Sequence, residues 1–218
     1  MELDPSTRED HLLINHSHGA LGKVEVRQAL DFAIDKDAIV KTVTFGYGQV
    51  ANSYIPAGAL YHYQDNLRRP YDPQKAKALL KQAGLEKGAE VTLWSMPVQR
   101  PYNPNSRRIA EMIQSDWAKV GVKAKIVTWE WGEYLSGIRK GEHASALYGW
   151  MSDNGDPDNF AATLLSCDSI KSGSNAAHWC DKQYDALVMK AKLTSDPAAR
   201  AGLYQQAQTI FYQQAPWL

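Results

Sequence analysis

Apolar residues recur every three to four positions through most of this chain, the spacing that predicts amphipathic helices. The clearest case is the segment 106–121, where Ile109, Ile113 and Trp117 fall on one face and Gly121 ends the run. Asp35 and Asp72 are expected to cap two further helices. These two helices are expected in segments 36–45 and 73–83. The pattern predicts other helices in segments 24–34, 130–142, 182–193 and 196–214.

Three shorter segments, 89–96, 122–129 and 145–150, predict strands. From residue 72 onward, helices and strands alternate, with neither an internal repeat nor a flexible linker. This order predicts an α/β fold in one unit, with a small sheet of about three or four strands flanked by helices.

The chain ends suggest a piece of something larger. The first ten residues, MELDPSTRED, are polar and acidic and resemble added sequence, so they are left out of the fold prediction. The chain stops at APWL without a closing element. We therefore expect residues 1–22 to be a leader or crossover segment, partly foreign to the natural chain. Residues 23–218 would form one lobe of a larger protein.

Composition excludes some partners. The 218 residues include 24 Lys and Arg against 24 Asp and Glu, so the net charge is near zero. A nucleic-acid partner is not expected, because phosphate binding needs a basic surface. No apolar run approaches the roughly 18 residues that span a bilayer.

The two cysteines, Cys167 and Cys180, leave two interpretations open. They could be buried free thiols, or a disulfide that closes the polar, Gly- and Ser-rich segment between them. A disulfide would imply an oxidising compartment. Their spacing excludes a CxxC metal or redox site.

Candidate chemistry lies in two loops that follow predicted strands. Ligands of open α/β sheets bind beyond the carboxyl ends of the strands. MPVQRPYNPN (96–105, the proline loop) follows one strand, and SDNGDPDN (152–159, the acidic segment) follows another. If these strands are parallel, both loops lie along one rim of the sheet.

The acidic segment admits a metal loop, a catalytic carboxylate pair or a turn. The calcium-loop pattern fails from either possible start, and no nucleophile or oxyanion hole accompanies a carboxylate pair. Turn chemistry explains Asp156 and Asp158, which would open the next helix. Asp153 directly follows the strand beside Trp150, where we expect a partly desolvated carboxylate.

Arg100 is the candidate in the proline loop. A lone Arg is usually solvated, but Pro97, Pro101 and Pro104 stiffen this loop. Arg can hold a carboxylate with two parallel hydrogen bonds, so Arg100 and Asp153 on one rim would form a receptor for a zwitterion.

Histidines offer a weaker metal candidate. His11, His16 and His18 lie close together in the sequence, and we interpret their spacing as coincidence.

Several long stretches resemble one known family. They include KVEVRQALDFAIDKDAIV, LWSMPVQRPYNPNSRRIAEMIQSDWAKVGVKAKIV and GWMSDNGDPDNFAATLLSC. From about Lys23 to the end, the chain resembles the periplasmic dipeptide-binding proteins of bacterial ABC transporters, within the peptide/nickel-type solute-binding family. The resemblance covers one of two lobes, the more C-terminal one. The segment HSHGALG departs from the usual Pro-rich sequence, which leaves the crossover to the other lobe undetermined.

The resemblance implies specific roles. Asp153 would pair with the free amino group of a dipeptide and Arg100 with its free carboxylate, next to Trp150 and Met151. Cys167 and Cys180 would form a disulfide.

The resemblance also implies a setting. The protein would be a periplasmic binding component without cofactor, metal or catalytic activity, with an ABC permease and its own second lobe as partners. Haem, glutathione, nickel or longer peptides are alternative cargoes. A carboxylate-dependent hydrolase and a signalling module are alternatives from other classes.

Overall fold

The computed structural model describes residues 8–59 and 66–218. In these residues a four-stranded sheet has the order β1-β4-β2-β3. Its strands are β1 Arg8–Ile14, β2 Ala89–Trp94, β3 Val122–Val127 and β4 Ser145–Met151. Strand β2 is parallel to β3 and β4, whereas β1 is antiparallel to β4. The predicted α/β fold with a small mixed sheet is confirmed.

Helices cover both faces of this sheet. They are α1 Val24–Phe32, α2 Lys36–Val43, α3 Pro73–Gln82, α4 Ser106–Ala118, α5 Trp131–Lys140, α6 Asp158–Leu165, α7 Ser169–Ser172, α8 Lys182–Leu193 and α9 Pro197–Gln214. The carboxylates of Asp35 and Asp72 accept hydrogen bonds from the first turns of α2 and α3, so both predicted caps are confirmed.

The sheet separates two hydrophobic cores. On one face, α1 to α4 pack residues such as Leu30, Ile113 and Trp117 against the strands. On the other face, α5, α6, α8 and α9 pack residues such as Tyr134 and Phe160. Both faces of the strands are therefore packed against helices.

Strand β1 was not predicted, because the prediction left residues 1–10 outside the fold. Arg8–Ile14 pairs along its length with β4, and its free edge bonds to the chain end through Leu12 and Leu218. Charged residues at positions 8–10 hide the strand pattern in the sequence. The boundary between residues 22 and 23 stays a prediction, and residues 1–7 lie outside the described residues.

Cys167 and Cys180 form a disulfide, as the resemblance implied. The 13-residue separation includes the short helix α7, which the sequence analysis did not predict. Within residues 8–59 and 66–218, no helix is long and apolar enough to cross a membrane.

Candidate functional site

The proline loop and the acidic segment start from neighbouring parallel strands. In the register, Leu93 pairs with Ser145 and Trp94 with Ala146. The carboxyl ends of β2 and β4 therefore meet at one edge of the sheet, as the sequence predicted. Arg100 and Asp153 therefore stand in loops that leave the same edge of the sheet.

Hydrogen bonds fix the conformation of the proline loop. The Ser106 hydroxyl, at the start of α4, accepts a bond from the Met96 N–H at 2.8 Å. Further along, the N–H groups of Arg100 and Asn103 each donate to the other residue's carbonyl at 3.0 Å. Residues 100–103 thus form a closed turn, called here the Arg100 turn. Its backbone is ordered by these bonds as well as by the prolines.

The guanidinium of Arg100 lies over the ring of Trp131, with its Cζ 4.2 Å from the ring centroid. This cation–π contact orients the guanidinium without using its N–H donors. Among the described residues, no hydrogen bond or ion pair uses those donors, and Nε is buried without an acceptor. The side chain is therefore held in place with its hydrogen-bonding capacity free for an anion.

Gly149 in β4 allows the Arg100 turn to pack closely on the sheet. The ring of Tyr102 lies directly over Gly149, so that a Cβ there would be 2.4 Å from the ring. Burial, and secondarily the neighbouring Tyr148, raise the pKa of Tyr102 to about 12, so its hydroxyl stays neutral. Tyr102 therefore anchors the turn to the sheet through packing.

Asn159 links two of the predicted site residues. Its side-chain oxygen accepts a hydrogen bond from the indole N–H of Trp150 at 2.7 Å, and its amide donates to the Asp153 carboxylate at 3.3 Å. Trp150 is half-buried and packs against the core, so the chain of contacts ties Asp153 to the rigid sheet.

The three carboxylates of the acidic segment differ in their partners. Asp156 receives two hydrogen bonds of 2.8 Å from Arg200, and Asp158 pairs with Lys192 at 3.2 Å. No described cation pairs with Asp153. The segment is thus a turn that presents one available negative charge.

The structure corrects one expectation about this segment and makes another more specific. Asp153 is exposed, so the expectation of a partly desolvated carboxylate was wrong for this chain. Asp156 accepts a bond from the Asp158 N–H and so opens α6, while Asp158 is the first residue of that helix.

Met151 occupies the last position of β4, with its side chain 46% exposed on the rim. In the pairing of β4 with β1, the preceding residue Trp150 lies opposite Glu9. Met151 thus leaves apolar surface exposed at the end of β4, whereas Trp150 packs against the core. Their role in binding stays a prediction.

Buried ionisable residues of β1 lie next to this surface. Glu9 and His11 approach to 3.3 Å, yet burial raises the pKa of Glu9 and lowers that of His11 to about 3. Both side chains are therefore neutral, and the contact is not an ion pair. The described residues contain no group of three or more His, Cys, Asp or Glu that could hold a metal ion.

The sequence analysis missed Trp131 and Asn159. Trp131 lies 31 positions after Arg100, and no local pattern pairs them. Asn159 stands in the acidic segment, where its turn-forming character concealed its bridging role. Asn159 follows the strand-end carboxylate Asp153 by six positions, across the turn and not within one helix.

Comparisons with known proteins identify the family of this chain. Residues 1–172 match the model of the bacterial extracellular solute-binding proteins, family 5 middle region. The chain belongs to this family of solute-binding proteins.

Three relatives are informative. The dipeptide-binding protein of Escherichia coli K12 is 54% identical over 98% of this chain and 40% of its own length. Di/tripeptide-binding protein 1 of Pseudomonas aeruginosa is 51% identical over 94% of this chain and 38% of its own. The crystal structure of the dipeptide-binding protein from Pseudoalteromonas sp. SM9913 in complex with Met-Leu is 40% identical, with a TM-score of 0.93, over 99% of this chain and 43% of that one. The chain thus spans about two fifths of these relatives.

Proposed function

We propose that this lobe belongs to the substrate-binding component of an ABC importer and binds dipeptides through their free termini. The observation that supports the proposal is the pair of uncommitted charges on one rim. Arg100 is held on Trp131 with free donors, and Asp153 is held by Asn159 without a cation. A zwitterionic peptide supplies the complementary charge at each end.

Charge pairing explains why such a site would discriminate by length. When a second lobe closes over the ligand, an unpaired buried ion costs several kcal/mol, so both termini must find partners. Each added residue lengthens an extended peptide by roughly 3.3–3.6 Å. A tripeptide would then leave one terminus away from Arg100 or Asp153. The P. aeruginosa relative is named for both lengths, which makes the tripeptide a direct comparison.

Further partners belong to the same proposal. Solute-binding proteins of this architecture close by a hinge between lobes, so the second lobe would complete the site. An ABC permease would receive the closed form. Disulfide formation between Cys167 and Cys180 supports a periplasmic location, because disulfides persist in oxidising compartments.

Calorimetric titration with Met-Leu, its C-terminal amide and its N-acetyl form tests the proposal, using the longest form of the protein that carries this sequence. We expect Arg100→Ala to weaken Met-Leu binding by 2–5 kcal/mol or about 30-fold or more, the range for removing one partner of a buried charge pair. It would change affinity for the amide far less. Asp153→Asn would show the mirror behaviour with the N-acetyl form.

Matched control variants test whether a loss of binding is specific to Arg100 and Asp153 or follows from removing any exposed charge. Arg107→Ala removes an exposed cation of α4, and Asp168→Asn removes an exposed carboxylate near the disulfide. Both should bind Met-Leu as the unsubstituted protein does. The proposal fails if the blocked peptides bind as tightly as Met-Leu, or if the site variants behave like these controls.

A further inference from the structure

An aspartate of β1 contacts the turn that carries Arg100. Asp10 Oδ2 accepts a hydrogen bond of 2.9 Å from the side-chain amide of Asn103. Asn103 is fully buried, and its backbone closes the Arg100 turn through two 3.0 Å bonds to Arg100. A short path of hydrogen bonds therefore runs from the sheet edge to the backbone of Arg100.

We propose that Asp10 is a positioning residue for Arg100, acting through Asn103 to fix the turn that presents the guanidinium. The inference rests on the proposed function, since it assigns the guanidinium to a ligand carboxylate. It adds a residue of β1, 93 positions before Asn103, to the determinants of the site.

The position of Asp10 has no simpler explanation in packing. Burial raises the pKa of Asp10 well above its ordinary value, while the Asn103 hydrogen bond acts in the opposite direction. An apolar side chain facing this interior would avoid that desolvation. The compensation seen in the structure is the bond to Asn103, whose amide would otherwise be buried with a missing acceptor.

Neighbouring acidic and basic residues of β1 do not share this role. Side chains alternate along a strand, so Glu9 and His11 point to the face opposite Asp10. His11 stacks on Trp217 at 3.9 Å, in the core of that other face. The side-chain hydrogen bond from β1 to Asn103 in the Arg100 turn is made by Asp10.

Backbone amide exchange in the absence of ligand directly tests the hydrogen-bond path from Asp10 through Asn103 to Arg100. We expect Asp10→Ala to accelerate exchange of the Arg100 and Asn103 amides by up to about tenfold, the factor for one lost hydrogen bond. Asp116→Ala is the control: Asp116 is a buried aspartate that bonds to the Asp35 N–H and to Lys119, away from the rim. Unchanged exchange at both turn amides in Asp10→Ala would overturn the inference.

Ligand titration distinguishes positioning from loss of stability. Asp10→Ala should weaken Met-Leu binding by up to about tenfold and leave the C-terminal amide nearly unaffected, because only the carboxylate meets Arg100. Asp10→Asn, which keeps an acceptor oxygen, should recover most of the affinity. An equal loss for Met-Leu and its amide would refute the positioning role.

Asn103→Ala provides a second route if Asp10→Ala folds poorly. If Asp10 acts through Asn103, the double variant should lose no more affinity than the single variants, whereas additive losses would contradict the path. If the unsubstituted protein binds neither Met-Leu nor its amide, the proposed function fails. The exchange experiment then still decides whether Asp10 fixes the turn.

Discussion

At Gly149, strand β1 and the Arg100 turn both approach β4 closely, and Gly149→Ala should therefore disturb both fold and site. A Cβ at this position would lie 2.4 Å from the Glu9 carbonyl oxygen and 2.4 Å from Cδ2 of Tyr102. Ordinary contacts between heavy atoms are about 3.5–4.0 Å, so both neighbours must move by roughly 1 Å or more.

The size of the destabilisation by Gly149→Ala depends on how easily each neighbour of the new Cβ can move. Tyr102 is a side chain in a loop, but the Glu9 carbonyl belongs to the ladder between β1 and β4. Overpacking typically costs about 1–3 kcal/mol, and we expect the upper end because one neighbour is backbone. For a domain of this size, a loss of about 3 kcal/mol corresponds to a melting temperature lower by roughly 6–12 °C.

Urea denaturation gives the free energy of unfolding, and Gly202→Ala in α9 supplies the control. A Cβ at Gly202 meets nothing within 4 Å, so this substitution should be neutral or stabilise the helix by about 0.5–1 kcal/mol. Gly149→Ala should also weaken Met-Leu binding, since Tyr102 carries the Arg100 turn. Equal urea midpoints for both variants, with equal slopes, would refute the reasoning.

Three further substitutions test separate parts of the lobe. Replacing Cys167 and Cys180 together by Ser should lower the free energy of unfolding in urea by about 3 kcal/mol, the chain-entropy value for a loop of this length, and an unchanged midpoint would count against it. Arg200→Ala removes two hydrogen bonds to the acidic segment and should lower the free energy of unfolding by about 2 kcal/mol in the same assay. The control Arg107→Ala removes an exposed ion pair within a helix and should lower it by only about 0.3–0.5 kcal/mol. Burial lowers the pKa of His143 to about 3, so the unfolded chain takes up the proton first and stability falls as pH drops below about 6.5. Between pH 7 and pH 5 this loss is about 2 kcal/mol for one histidine, and His143→Phe should lack it; an identical pH dependence in both proteins would contradict the assignment.

The helices were predictable because their signals are local. Asp35 and Asp72 stand next to the N–H groups that they cap, and the apolar faces repeat within a few turns. Strand β1 lacks such a signal. Its first residues are charged, and its pairing partner β4 begins more than 130 positions later. Only the tertiary fold makes that segment a strand, which is why sequence analysis omitted it.

The site shows the same division between local and distant information. Strand ends located Arg100 and Asp153, since the position of a loop after a parallel strand is a local property. Whether a charge in such a loop is available depends on residues elsewhere in the chain. Asp156 and Asp153 lie in one turn with similar neighbours, but Arg200, 44 positions on, neutralises only Asp156.

Whether Arg100 is available to a ligand also depends on a residue elsewhere in the chain. Arg100 keeps its donors because Trp131 offers it a ring rather than an acceptor. A carboxylate in the place of Trp131 would pair with Arg100 and close the site to a ligand, although the proline loop itself would be unchanged. The binding function we propose is therefore a property of what the fold leaves unpaired, and substitutions that supply or remove a distant partner should alter it as strongly as changes in the loops themselves.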